Sequence, residues 1–192
     1  DITPTNIVLA RMDSYGNPYS NFGNNGIVET SIVGKYNFSG GETLLLTEDN
    51  KILLSATTPN SSPTKFSVFR FFLDGSLDST FGTGGRTDIA FSSSDVSYDM
   101  TLDYNGKILL VGKGGSESGL IRLNSDGTPD TTFAPDGKFT IDLSIGNGSN
   151  YLRTCLPLSN GDILAAGYDP TSNSGDYVVV KLTQNPTGVD DQ

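Results

Sequence analysis

The chain is 192 residues long and carries 22 Asp and Glu against 12 Lys and Arg, a formal net charge of −10, with no histidine. That length suits one ordinary domain or a short run of repeats, and the excess of acid argues against a nucleic-acid surface, where phosphates need clustered Lys and Arg. The missing histidine removes Ser-His-Asp and Cys-His catalysis and every His-ligated metal site. Cys155 is the one cysteine, which excludes an intramolecular disulfide, a CxxC site and a thiolate zinc cage. No apolar run approaches the ~20 residues that span a bilayer, and the N-terminus shows no signal-peptide pattern.

Apolar residues come in short runs cut by Asn-Gly, Asp-Gly and Pro, and the runs alternate or are solidly apolar, as strands do. This predicts an all-β chain. After a lead-in at 1–5, a first unit (6–65) opens with a strand around Ile7–Met12 that carries Arg11, followed by Gly16, Phe22 and Gly26. Strands follow at 26–30 and 43–46, and Asp49-Asn50-Lys51 turns the chain into Ile52-Leu53-Leu54. The second unit (66–117) repeats the order: Arg70 in the strand Ser67–Phe72, then Gly75, Phe81 and Gly85, then Tyr98–Leu102, and Asn105-Gly106-Lys107 entering Ile108-Leu109-Leu110. The third (118–176) has Arg122 in Gly119–Asn124, then Gly127, Phe133 and Gly137, strands at 138–143 and 151–156, and Asn160-Gly161-Asp162 entering Ile163-Leu164-Ala165. A strand of a fourth unit (177–183) carries Lys181 before the pattern is lost at Asn185-Pro186, and 184–192 reads as a linker or tail.

Counted from the basic residue, the spacing is constant: glycine at +5, phenylalanine at +11 and glycine again at +15, in all three complete units. Each unit of about 55 residues supplies four strands, the size and content of one β-propeller blade. A lone blade has two apolar faces and cannot bury both, so neighbours must stack on it. The expected architecture is a β-propeller-like array of about three four-stranded antiparallel blades plus one extra strand. The Asn-Gly pairs favour two-residue hairpins with positive φ.

Phe71-Phe72-Leu73-Asp74-Gly75-Ser76-Leu77-Asp78-Ser79-Thr80-Phe81-Gly82-Thr83-Gly84-Gly85, followed by Asn105-Gly106-Lys107-Ile108-Leu109-Leu110-Val111-Gly112, resembles the delta-60 repeat. The copy Asn124-Ser125-Asp126-Gly127-Thr128-Pro129-Asp130-Thr131-Thr132-Phe133 is similar, whereas the copy at Asp13–Gly23 lacks the aspartates at +4 and +8. The resemblance spans roughly residues 6 to 182. It implies propeller-like β domains of bacterial secreted and surface proteins, and no single activity.

Several residues could carry chemistry. Arg11, Arg70, Arg122 and Lys181 admit two readings: a ring of cations lining a channel for an anionic ligand, or a structural pair repeated in every blade. Recurrence favours the second, because binding sites usually break symmetry and scaffolding does not. An arginine inside such a strand needs compensation. Asp78 and Asp130, both at +8, are the expected partners of Arg70 and Arg122, while Arg11, with Tyr19 at +8, is expected to use backbone oxygens. Asp74-Gly75-Ser76-Leu77-Asp78 and Asp126-Gly127-Thr128-Pro129-Asp130 superficially resemble calcium loops but lack the ligand count and closing glutamate of an EF-hand; Asp and Gly also serve as turn residues.

Phe22, Phe81 and Phe133 read as wedges between blades, with sugar-stacking platforms as the other possibility, and the +5 glycines Gly16, Gly75 and Gly127 as turn positions of positive φ. Asp88, Asp95, Asp99 and Asp103 lie in the least repeat-like stretch and are the nearest thing to a carboxylate pair for glycoside hydrolysis. Cys155 reads as inert core. Asn37, Asn60 and Asn147 head glycosylation sequons of little weight in a bacterial protein.

Low charge density, with abundant Ser, Thr, Asn and Gly, fits an extracellular surface protein, and the tail weakly resembles the spacer before type IX secretion sorting domains. The expected function is a non-enzymatic secreted or cell-surface module, without cofactor, acting as a scaffold. A protein partner, or further blades from the same or another chain, would cover its faces. The alternative is a carbohydrate-binding or glycoside-hydrolysing propeller domain. Neither nucleic acid nor a membrane span is expected.

Overall fold

The computed structural model describes residues 6–31, 43–59, 64–143, 151–168 and 177–183. The lead-in, the tail and the three sequons lie outside the described residues. Among these residues every regular element is a strand: β1 (Asn6–Ala10), β2 (Ile27–Ser31), β3 (Leu44–Leu46), β4 (Ile52–Pro59), β5 (Thr64–Phe71), β6 (Arg86–Ile89), β7 (Val96–Leu102), β8 (Ile108–Gly114), β9 (Glu117–Leu123), β10 (Lys138–Ile141), β11 (Tyr151–Pro157), β12 (Ile163–Tyr168) and β13 (Tyr177–Leu182). All pair antiparallel with their chain neighbours, as β1-β2, β3-β4-β5-β6, β7-β8-β9-β10 and β11-β12-β13.

The four sheets stack in chain order because their strands alternate two apolar faces, which a period of two residues delivers. On β5, Phe69 and Phe71 pack back on Ile7 of the first sheet, while Phe66 and Val68 pack forward on Met100, Ile108 and Leu110 of the third. On β8, Ile108 and Leu110 face backward, and Leu109 and Val111 face forward onto Leu152, Cys155 and Ile163. Three apolar layers therefore fill the three gaps between sheets. This is a propeller-like arrangement of blades.

The thirteen strands among the described residues match three four-stranded units plus one, but the sheets are out of phase with the sequence units. Two sheets are four-stranded, and the first and last have two and three described strands, Tyr177–Leu182 pairing with β12 in the last. A repeat fixes the period of a pattern and leaves its phase open. Here the phase follows from the hairpins, since the strands of Arg70 and Arg122 pair with the strand before them, Leu53 opposite Arg70 and Leu109 opposite Arg122.

The turns entering β4, β8 and β12 also differ from the two-residue hairpins expected. In the second, Gly106 N–H donates to the Asp103 carbonyl and Asp103 N–H to the Lys107 carbonyl, a three-residue loop with one left-handed residue, Gly106 at φ 72°. Asn50 (φ 60°) and Gly161 (φ 90°) hold the same place. The extra residue is accommodated because the Asp103 carboxylate accepts the N–H groups of Asn105 and Lys107 at 2.8 and 2.9 Å.

The first strands of successive sheets meet along one edge. Thr43, just before β3, and Thr154 on β11 both donate hydroxyl protons to Asp99 on β7, at 3.4 and 2.7 Å. The three residues hold one repeat position, eight before Lys51, Lys107 and Asp162 respectively. The sheets converge on this edge, where β7 contacts both β3 and β11, and it is therefore taken as the inner edge of the array.

Candidate functional site

The repeated basic residue builds the same node in two sheets. Arg70 Nε donates to Asp78 Oδ2 at 2.9 Å, its other nitrogens reach Thr80 Oγ1 at 3.3 Å and the Ser125 carbonyl of the next turn at 2.6 Å, and its guanidinium stacks 4.7 Å from the Phe81 centroid. Arg122 repeats the pattern with Asp130 Oδ2 at 2.6 Å, Thr132 Oγ1 at 3.4 Å and the Phe133 ring at 4.7 Å. The backbone explains the spacing: the arginine carbonyl accepts from the +8 N–H and its N–H donates to the +15 carbonyl, in all three copies. A second cation completes each node, with Lys51 Nζ 3.8 Å from Asp78 and Lys107 Nζ 2.7 Å from Asp130. Burial pushes the Asp130 carboxyl up, but hydrogen bonds from Lys107, Thr132 and Arg122 outweigh it and hold the pKa well below the usual carboxylate range.

The outer copies depart from this pattern. Arg11 is exposed and stacks on Tyr19 with its guanidinium carbon 4.3 Å from the centroid, so the ring at +8 takes the place of the backbone oxygens expected. In the last sheet the lysine of the second cation is replaced by Asp162, and Lys181 Nζ pairs with it at 2.9 Å. The charges have exchanged places.

The wedge phenylalanines link neighbouring copies. A Cβ on Gly75 would meet the Phe22 ring at 2.7 Å, and one on Gly127 the Phe81 ring at 2.8 Å, while Gly16 has open space around it. The first two +11 rings thus lie on the +5 glycine of the next copy, whereas the fourth copy has Pro186 at +5. Phe133 packs against the apolar layer between the third and fourth sheets. Backbone bonds follow the same path, Gly23 N–H to the Asp74 carbonyl at 3.2 Å and Gly82 N–H to the Asp126 carbonyl at 2.8 Å.

Among the remaining acids, Asp74 Oδ1 accepts the N–H and hydroxyl of Ser76, and Asp126 Oδ1 those of Thr128, the local bonding of an Asx turn. The four aspartates of the least repetitive stretch hold separate partners. Asp88 takes Arg86 and Ser67, Asp95 the N–H groups of Phe91, Ser92 and Gly115, Asp99 the two threonines, and Asp103 its own turn. Cys155 is buried beside Asp99, and burial, followed by that charge, pushes its pKa up to about 12.

One cluster lies outside these motifs. At the inner edge between the third and fourth sheets, the Arg153 guanidinium stacks on Tyr98 at 4.0 Å and on Tyr168 at 5.0 Å, and Lys113 lies 5.3 Å from the Tyr151 centroid. Burial, countered by the nearby Arg153, raises the pKa of Tyr98 above its usual value. These residues escape a search for recurrence because they differ between copies: Tyr98 and Arg153 hold one repeat position, as do Lys113 and Tyr168. The signal that finds them is disagreement between aligned units.

No curated protein matches the chain. A family model described as "Domain of unknown function (DUF5122) beta-propeller" matches residues 47–81 and 105–133, about a third of the chain. Both segments start at or inside the turn before an apolar strand and end on a wedge phenylalanine, so each contains one complete Lys–Arg–Asp–Phe node. The stacked sheets and the matched segments together identify β-propeller repeats.

Proposed function

We propose that the chain is a non-enzymatic, extracellular module of the delta-60 type, a scaffold whose open blade faces dock further blades or a protein partner. What supports this reading is one comparison between equivalent positions: Val68 and Leu120 are 2% and 0% exposed, whereas Val179, at the same place in the last sheet, is 71% exposed. The forward face that covers its neighbour in two sheets meets no described residue in the fourth. Met12 is likewise exposed where Phe71 and Leu123 are buried, on the backward face of the first sheet. Apolar patches of this kind mark interaction surfaces. The non-enzymatic part is supported by the separate bonding of Asp88, Asp95, Asp99 and Asp103. The extracellular part rests on low charge density and the abundance of Ser, Thr, Asn and Gly.

Sedimentation velocity with an apolar dye tests the reading on the wild-type chain and on Val179→Asp. The wild type is expected to self-associate or bind dye, and the variant to associate less and bind less dye while melting at the same temperature. A wild-type monomer that binds no dye would overturn the docking face. Turnover in a general glycosidase screen would overturn the non-enzymatic assignment.

A further inference from the structure

We propose that the tyrosine and cation cluster at the inner edge between the third and fourth sheets is a binding site for an acidic saccharide, with Arg153 pairing a uronate carboxylate and tyrosine rings receiving the sugar. The site is distinct from the open end faces and does not depend on their being docking surfaces.

The backbone is shaped for it. Tyr98 and Arg153 are the extra residues of two β-bulges, in which Ser97 and Asp99 face Gly112 and Val111, and Leu152 and Thr154 face Gly167 and Ala166. A bulge turns a side chain out of the alternation of its strand and occurs next to functional sites. Gly112 and Gly167 lie opposite, where a Cβ would run into the carbonyl oxygens of Val96 and Tyr151. Both sheets therefore keep a bulge and a facing glycine, yet place different side chains on it. The geometry repeats while the chemistry does not, which is the pattern of a site built on a scaffold.

The charge is equally particular. Lys51, Arg70, Arg86, Lys107, Arg122, Lys138 and Lys181 all pair with aspartates in this chain of net charge −10. Of the cations that meet no carboxylate among the described residues, Arg153 and Lys113 come together over one cluster of tyrosine rings, whereas Arg11 rests on Tyr19 alone. Arg153 is exposed, and one of its five N–H groups is engaged, with Tyr168 Oη at 3.3 Å. Stacking holds the guanidinium plane and leaves its edge for a bidentate carboxylate contact. A tyrosine hydroxyl is protonated at neutral pH, so Tyr98 offers a donor for a sugar oxygen.

Flat faces with polar tips suit the C–H face and hydroxyl rim of a pyranose. A polyphosphate is a poorer fit, since it has no C–H face to lay on a tyrosine ring. Asp99, the nearest acid in sequence, has its carboxylate engaged by Thr43, Thr154 and the Met100 N–H.

Isothermal titration with an oligogalacturonide, against a neutral cello-oligosaccharide of the same length, tests the proposal. The wild type is expected to bind the uronate and to lose affinity as salt rises. Arg153→Met should weaken binding about tenfold or more, as expected for loss of a charge-assisted hydrogen bond. Lys113→Met should weaken it less, and Arg11→Met should not change it. All three residues are at the surface or partly so, and an unchanged melting curve would certify each fold. Absence of wild-type binding at millimolar uronate, equal affinity for the neutral oligomer, or wild-type affinity in Arg153→Met would each overturn it.

Discussion

Asp130 accepts two cations at once, Arg122 at 2.6 Å and Lys107 at 2.7 Å, and its side chain is nearly inaccessible. Removing one member of such a group leaves a buried charge short of partners, a loss of ~3–5 kcal/mol for a well-buried pair. For a chain of this size that is a fall of roughly 10 °C in melting temperature. Arg122→Ala should show it at neutral pH by calorimetry, whatever ligand is added. Because the folded pKa of Asp130 lies below its ordinary value of 3.8, its stabilisation is complete above that value and fades as the pH falls beneath it. Asp130→Asn should therefore melt lower than wild type at pH 7, with the gap narrowing in acid. A gap that stayed constant between pH 7 and pH 3 would remove the carboxylate from that role.

At the scale of the element, the +5 turn does two jobs with one glycine. Gly16 and Gly127 have nearly the same backbone, φ 84° and 88°, but only Gly127 receives the ring of the preceding copy. Alanine in the left-handed region costs roughly 1–2 kcal/mol, so Gly16→Ala should lose about that much and Gly127→Ala clearly more. Denaturant titration of the two variants separates backbone strain from the wedge contact, and equal losses would show that the ring yields freely. The strands, the blade period, the wedge and the Arg–Asp pairs were legible in the sequence because each recurs at constant spacing. The turn length was not, since it depends on where the Asp103 carboxylate points. Nor was the phase of the sheets, which pairing decides. The Tyr98–Arg153 stack was missed for the opposite reason: it is visible only where copies disagree, and in bulges that no residue pattern announces.

Across the whole molecule, burial depends on position in the stack as much as on residue type. Leu120 lies within the layer between the third and fourth sheets, and Leu120→Ala should cost about 2–5 kcal/mol through lost contacts and the cavity left behind. Val179→Ala, at the equivalent place on the uncovered face, should stay within about 0.5 kcal/mol in the isolated chain. Chemical denaturation measures both. If Val179→Ala proved as costly as Leu120→Ala, the face would already be covered in solution. A stack with neighbour-only contacts gains stability by addition of interfaces, so covering the last sheet should raise the sensitivity of Val179 toward that of Leu120.

At two joints a wedge ring lodges on the next copy's glycine, which gives the array a direction, like a row of plugs and sockets all facing one way. Phe22 plugs into Gly75 and Phe81 into Gly127, while Gly16 is a socket with nothing in it. Duplication or deletion of a gene segment preserves every joint if it moves one whole period, wherever the cut falls. A change of half a period leaves a ring without its socket or brings a side chain into one. Length variation in such a chain is thereby held to whole blades, and a grafted blade will fit only if it arrives in the same orientation.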